Sequence, residues 1–151
     1  MKRRNFVGWL LALFAGQAFA QTSREAYFAE FDPDALVKQA FGRTAQRGRV
    51  TLELPLLADN GNDVPMKVAV QSPMSAADHV KTVRLLSPRN PEREMAVFHL
   101  GPRAGVAELS ARVRLAGSQR VVAVAEMSNG SLWMDSADVV VTLSACIDGA
   151  G

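Results

Sequence analysis

From Val50 onward the hydrophobic period is two, and that pattern rules out most folds. Val50, Leu52, Leu54 and Leu56 alternate with Thr51, Glu53 and Pro55, as in a strand with one buried and one wet face. Pro55 has no amide hydrogen to give to a ladder, so this strand belongs at a sheet edge or beside a bulge. The run ADNGND follows, with Asn60-Gly61 as a hairpin signal. Met66, Val68 and Val70 then alternate with Lys67 and Ala69, Val80 to Leu86 ends at SPRNP, and Met95 to Leu100 ends at GPRAG. Leu109, Ala111, Val113 and Leu115 alternate with Ser110, Arg112 and Arg114. Val121 to Met127 is apolar on both faces, which predicts a central strand, and Leu132 to Met134 and Ala137 to Leu143 close the series. Short strands at this spacing, between turns rich in Gly, Pro and Asn, predict an all-β immunoglobulin-like β-sandwich over residues 49–143. The disulfide-bridged version of that fold is excluded, because the chain has a single cysteine.

The residues before the strands divide in two. MKRRNFVGWLLALFAGQAFA has a basic start, an apolar run and a small-x-small end at Ala18-Phe19-Ala20, the layout of a cleavable signal peptide over residues 1–20. The apolar run is too short for a span of about 30 Å of hydrocarbon, so no membrane attachment is expected after cleavage. Arg3-Arg4-Asn5-Phe6-Val7 has the form of a twin-arginine signal. Residues 21–48 read as a helical segment and loop. Thr22 to Glu25 fits a capping box, and Asp32-Pro33 is a cap with proline at the first helical position. Leu36, Val37, Ala40 and Phe41 share one face and Gly42 supplies the stop; whether Asp32 breaks or kinks the helix is left open by the pattern.

Charge and metal chemistry narrow the function. The chain carries 17 Lys+Arg against 15 Asp+Glu, but Lys2, Arg3 and Arg4 lie in the leader, leaving 14 against 15. No basic surface points to nucleic acid. His79 and His99 are isolated, with no second ligand at a useful spacing, so no metal site or cofactor is expected and both read as strand residues.

The sharper feature is Cys146, the lone thiol of an exported chain. It has no internal disulfide partner, which leaves intermolecular pairing or reactivity. A buried structural cysteine is one alternative. A catalytic thiol is poorly supported, since from Asp138 to Gly151 there is no Lys, Arg or His to activate it. Along the last strand Val139, Val141, Leu143, Ala145 and Ile147 fall on one face, with Val140, Thr142, Ser144 and Cys146 on the other. Gly149, Ala150 and Gly151 cannot pin the tail, and Ile147 is its one apolar anchor. Both a continued strand and a short arm offer the sulfur to solvent, within reach of other proteins. Two such tails in an oxidising compartment also predict a Cys146-linked homodimer.

LPLLADNGNDVPMKVAVQSPMSAADHVKTV, Asn90-Pro91 and ARVRLAGSQRVVAVAEMSNGSLW carry a resemblance to the SoxY family, sulfur carriers of bacterial thiosulfate oxidation. The resemblance implies a periplasmic carrier without activity of its own, paired with a SoxZ-type subunit. It further implies a c-type cytochrome that couples thiosulfate to the thiol, a sulfate-releasing hydrolase, and a sulfane dehydrogenase. Cys146 is the position matching the family's conjugation site, on an arm comprising residues 144–151. The family's arm reads Gly-Gly-Cys-Gly-Gly, whereas Ser144, Ala145, Ile147 and Asp148 flank the sulfur here, with Gly149 beyond. The alternative is a relative that keeps fold and partner while its thiol is not conjugated.

Overall fold

In the computed structural model the described residues are 25–145, and they fall in two units divided between Glu30 and Phe31. The first contributes a helical turn at residues 25–28, where Tyr27 and Phe28 meet edge to face at 5.0 Å. The second opens with helix α1, Pro33–Phe41. Asp32 separates the two helical pieces: its extended backbone cannot continue a helix, and its carboxylate accepts the Asp34 N–H at 2.9 Å. Gly42, at φ 70°, ends α1 by donating its N–H to the Lys38 carbonyl. No described helix is long and apolar enough to cross a membrane.

Eight strands follow: β1 Val50–Glu53, β2 Leu57–Asn60, β3 Val64–Val70, β4 Val80–Leu86, β5 Glu94–His99, β6 Glu108–Val113, β7 Gln119–Met127 and β8 Leu132–Leu143. They form an immunoglobulin-like β-sandwich. One sheet has the order β1-β3-β6 and the other β2-β8-β7-β4-β5, with every pairing antiparallel except β2 with β8. Val64, Met66 and Val68 of β3 face Leu85, Val121, Ala123, Ala125, Val139 and Val141 across the core, all buried. The central position expected for β7 is observed. Its other face is covered as well, since Leu36 and Val37 of α1 pack on Val122, Val124, Leu86 and Met134. Phe41 sits at the rim of that contact, with the Arg84 guanidinium 5.0 Å over its ring, whereas Ala40 is exposed.

Four sequence expectations need correction. The strand read from Val50 to Leu56 stops at Glu53, and the chain crosses to the other sheet. Pro55 lies in that crossover, where no ladder needs its missing donor. Asn60-Gly61 is not a hairpin turn between neighbours, because Leu57–Asn60 is itself a strand, and β2 and β3 lie in different sheets. Leu132 to Met134 and Ala137 to Leu143 are one strand of 12 residues, paired with β7 through Asp135 and Ser136 without a break. His79 is in the loop before β4 rather than in a strand; its Nδ1 lies 3.0 Å from the Ser75 carbonyl, and its backbone is tied to Ser128.

The two long sides of the sandwich differ. Near β1 it is closed by Asp135 of β8, whose carboxylate accepts the edge N–H of Leu52 at 2.8 Å. Between β5 and β6, the edges of the two sheets leave a cleft of about 620 Å³, into which Met95, Phe98, Ala111 and Val113 face.

Candidate functional site

The last strand carries the chain toward Cys146, so the local question is what holds its end. β8 pairs with β7 only as far as Val139, opposite Gln119. Beyond that point β2 takes over, pairing Leu57 with Val140 and Asn60 with Leu143 in parallel. Side chains add two ties: Thr142 Oγ1 donates to the Asp59 carbonyl at 2.8 Å, and the Ser118 hydroxyl accepts the Val141 N–H at 2.9 Å. Past the strand, Gly61 N–H donates to the Leu143 carbonyl at 2.7 Å, and Leu115 N–H donates to the Gly61 carbonyl at 2.7 Å. Ala145 N–H then donates to the Leu115 carbonyl at 3.1 Å, and Ala145 is buried.

Of the positions that the resemblance assigns to an arm, Ser144 and Ala145 are described and form the root that leads to Cys146 in sequence: Ser144 is exposed, and Ala145 is bound into the domain. The alternation expected along the tail holds at Val139, Val141 and Ala145 and fails at Leu143, which is 69% exposed. Cys146, Ile147, Asp148 and Gly149 lie outside the described residues, as do residues 1–24, where the signal segment and the start of the Thr22–Glu25 capping box were expected.

Leu115, which holds Ala145, is itself braced by a buried polar cluster. Asn90 Nδ2 donates to the Arg114 carbonyl at 2.8 Å, and Asn90 Oδ1 accepts the Ala116 N–H at 2.9 Å, gripping the backbone on both sides of Leu115. Asn90 is fixed in turn by Gln119 Nε2 at 3.3 Å and, through its own N–H, by the Ser87 hydroxyl at 3.3 Å. Gln119 Oε1 accepts from Ser87 Oγ at 2.5 Å and from the Arg89 N–H at 3.1 Å. Ser87 and Gln119 are both fully buried. Substituting Gln119→Leu would strand the Ser87 hydroxyl and the Arg89 amide, with an expected cost of about 2–3 kcal/mol. Denaturant melts of the two proteins measure it; a loss below about 0.5 kcal/mol would mean the cluster does not brace the root.

Two further features adjoin the root. Arg89 Nη1 donates to the Ser118 carbonyl at 3.1 Å, and its guanidinium faces Ser144 across Gly117. Ala145 lines the cleft between β5 and β6, together with Asn90, Pro91, Arg112 and Arg114. Arg112 projects into solvent, paired with Asp63 at 2.8 Å, in keeping with a solvated sheet face. A second depression, of about 660 Å³, lies on the solvent side of the other sheet beside Glu53, Pro65 and Lys67 and does not include the root. Among the described residues no three His, Cys, Asp or Glu side chains are grouped to hold a metal ion.

Sequence reasoning missed Gly61, Arg89 and Gln119. Gln119 had a visible signal: it shares the buried phase of β7 with Val121, Ala123, Ala125 and Met127, and an amide in that phase calls for partners. Arg89 and Gly61 had none, because their neighbours at the root are distant in sequence.

Residues 37–146 match the family described as sulfur oxidation protein SoxY. The match covers well over half of the chain and ends on Cys146. The chain belongs to the SoxY family. It is thereby a protein of thiosulfate oxidation and sulfur metabolism, acting alongside other components of the Sox system. No curated protein matches it. Among solved structures it is similar to a superoxide reductase (neelaredoxin) from Ignicoccus hospitalis, at TM-score 0.55 and 16% identity over 62% of this chain and 80% of that one. It is also similar to a superoxide reductase from Nanoarchaeum equitans, at TM-score 0.52 and 14% identity over 63% and 99%. A putative superoxide reductase from Thermotoga maritima gives TM-score 0.51 and 18% identity over 67% and 89%. Identities this low speak for a shared β-sandwich and for nothing of the activity.

Proposed function

We propose that this SoxY-family chain is a periplasmic sulfur carrier whose Cys146 holds thiosulfate-derived sulfur covalently while partner enzymes act on it. The observation that carries the reading is the anchoring of Ala145. Ala145 is held by the Leu115 carbonyl, and Cys146 is the next residue, at the limit of the family match. A carrier needs a rigid body, a fixed origin for its arm and a sulfur just beyond that origin.

The chemistry is an oxidation followed by a hydrolysis. The Cys146 thiolate and the terminal sulfur of thiosulfate join in a disulfide bond, giving protein–S–S–SO3⁻. The two electrons released pass to a c-type cytochrome. Water then cleaves the bond to the sulfonate sulfur in a hydrolase, leaving protein–S–S⁻ and sulfate and releasing two protons. A sulfane dehydrogenase oxidises the sulfur that remains. The chain itself is not the enzyme; it works as a heterodimer with a SoxZ-type subunit and reaches the periplasm through its twin-arginine leader. Off the pathway, two thiols couple into a Cys146-linked homodimer that carries nothing.

The test replaces the chromosomal copy with Cys146→Ser or Ser144→Ala. Thiosulfate-dependent oxygen uptake is expected to vanish in the first and to persist in the second. Uptake at wild-type rate in Cys146→Ser would overturn the carrier role.

A further inference from the structure

We propose that the free edge of β6 pairs with the same edge of a second copy of this chain, antiparallel and centred on Ala111. The sandwich has four sheet edges, β1, β6, β2 and β5. An open edge is a template for another strand unless something blunts it, and three of these are blunted. Asp135 occupies the Leu52 N–H on β1, β2 is only four residues long, and β5 loses register against β4 at a bulge. β6 holds six consecutive pairs with β3 without a shift and contains no proline.

The backbone groups that β6 leaves open follow from its ladder. Val70 N–H donates to the Ala107 carbonyl at 2.9 Å, and antiparallel bonds to one neighbour recur at every second residue. Leu109, Ala111 and Val113 therefore turn their N–H and C=O toward β3, while those of Glu108, Ser110 and Arg112 point away from it. The open stretch ends at Arg114, whose carbonyl is taken by Asn90 Nδ2.

Charge selects the occupant and the register. The exposed phase of β6 and its extension reads Glu108, Ser110, Arg112, Arg114, acidic at one end and basic at the other. Laid antiparallel on a copy about Ala111, Glu108 stands opposite the second copy's Arg114, and two-fold symmetry repeats the pair. Arg112 keeps its bond to Asp63, whereas Arg114 has no ion-pair partner among the described residues. A centre at Arg112 would set that cation against itself, and one at Ser110 would set Arg114 against Val106. In the Ala111 register, Ser110 and the second copy's Arg112 exchange N–H···O=C bonds, joining two three-stranded sheets into one of six. Residues opposite each other share a face, so the second copy's Leu109 and Val113 extend the apolar layer over the cleft of Met95 and Phe98.

The experiment is sedimentation of the mature protein carrying Cys146→Ser, which removes disulfide coupling, from ~1 to ~500 µM. The mass is expected to rise from that of one copy to that of two. Arg114→Glu and Glu108→Arg each place like charges at both pairs and should weaken self-association about tenfold. Mixed in equal amounts, the two variants should associate as the parent does, because each strand then meets the opposite charge. Ser110→Pro, tolerated by an edge strand whose N–H faces outward, should hold the protein at one copy.

A single-copy mass at every concentration would overturn the proposal. So would self-association that the two charge reversals leave unchanged, or that mixing them fails to restore. If the chain stays single and a SoxZ-type subunit binds it in a manner abolished by Ser110→Pro, the edge belongs to that subunit and the proposal falls.

Discussion

Gly61→Ala is expected to unfold the protein about 2–3 kcal/mol more easily, with a fall in Tm on the order of 10 °C. The reason is a close approach. A Cβ on Gly61 would stand 2.5 Å from the Leu115 carbonyl oxygen, 2.8 Å from the Ala145 nitrogen and 2.9 Å from Val141 Cγ1. Two of these three are backbone atoms, and they are the donor and acceptor of the hydrogen bond that holds the arm's root. No rotamer change relieves the clash; either the Gly61–Leu143 bond or the Ala145–Leu115 bond has to open. The damage is therefore both to stability and to the arm, and Cys146 should be alkylated faster by a neutral reagent in the variant. Gly101→Ala is the matched control, since a Cβ there meets nothing within 4 Å and φ is extended at −151°. Thermal melts of the three proteins decide the point. A Gly61→Ala variant as stable as Gly101→Ala would show that the root is not packed as described.

The period-two pattern gave the β-sandwich away, because a strand with one buried face leaves an alternation that survives in a single sequence. β7 was legible as central for the same reason in reverse: apolar residues in both phases require two covers, and α1 and the facing sheet supply them. β2 was hidden. Leu57 to Asn60 is four residues with two turn formers among them, and it is a strand because β8 offers it a parallel edge some eighty residues away. The same applies to the root of the arm. Cys146 stood out by chemistry alone, as the single thiol of the chain. Gly61, Leu115, Asn90 and Gln119 form the seat that holds Ala145, through contacts that no local pattern encodes. Asn60-Gly61 illustrates the difference: the dipeptide reads as a turn, while the glycine is required by what packs against it.

The seat also bears on the departure at the arm. Ser144 and Ala145 replace glycines of the family pattern on the N-terminal side of the sulfur. Both residues lie at or within the bound root, where freedom of the backbone would be lost in any case. Ala145 loses little by having a side chain, since its backbone is already held by Leu115 and its methyl group is buried. The glycines that remain, Gly149 and Gly151, are on the far side of Cys146.

The expectation with the largest effect concerns the sulfur itself. Protein taken from cells that are oxidising thiosulfate should be heavier than its sequence by the mass of bound thiosulfate or of one or more sulfur atoms. Reductant should remove the addition, and Cys146→Ser should never acquire it. Disulfide-linked sulfur is the only form of adduct that meets all three conditions, because the chain has no second thiol to confuse the reading. Intact-mass measurement of wild type and Cys146→Ser, with and without reductant, is therefore the most direct test of the carrier account. Reducible sulfur on the wild type alone is the expected result; an unmodified Cys146 in cells visibly consuming thiosulfate would contradict it.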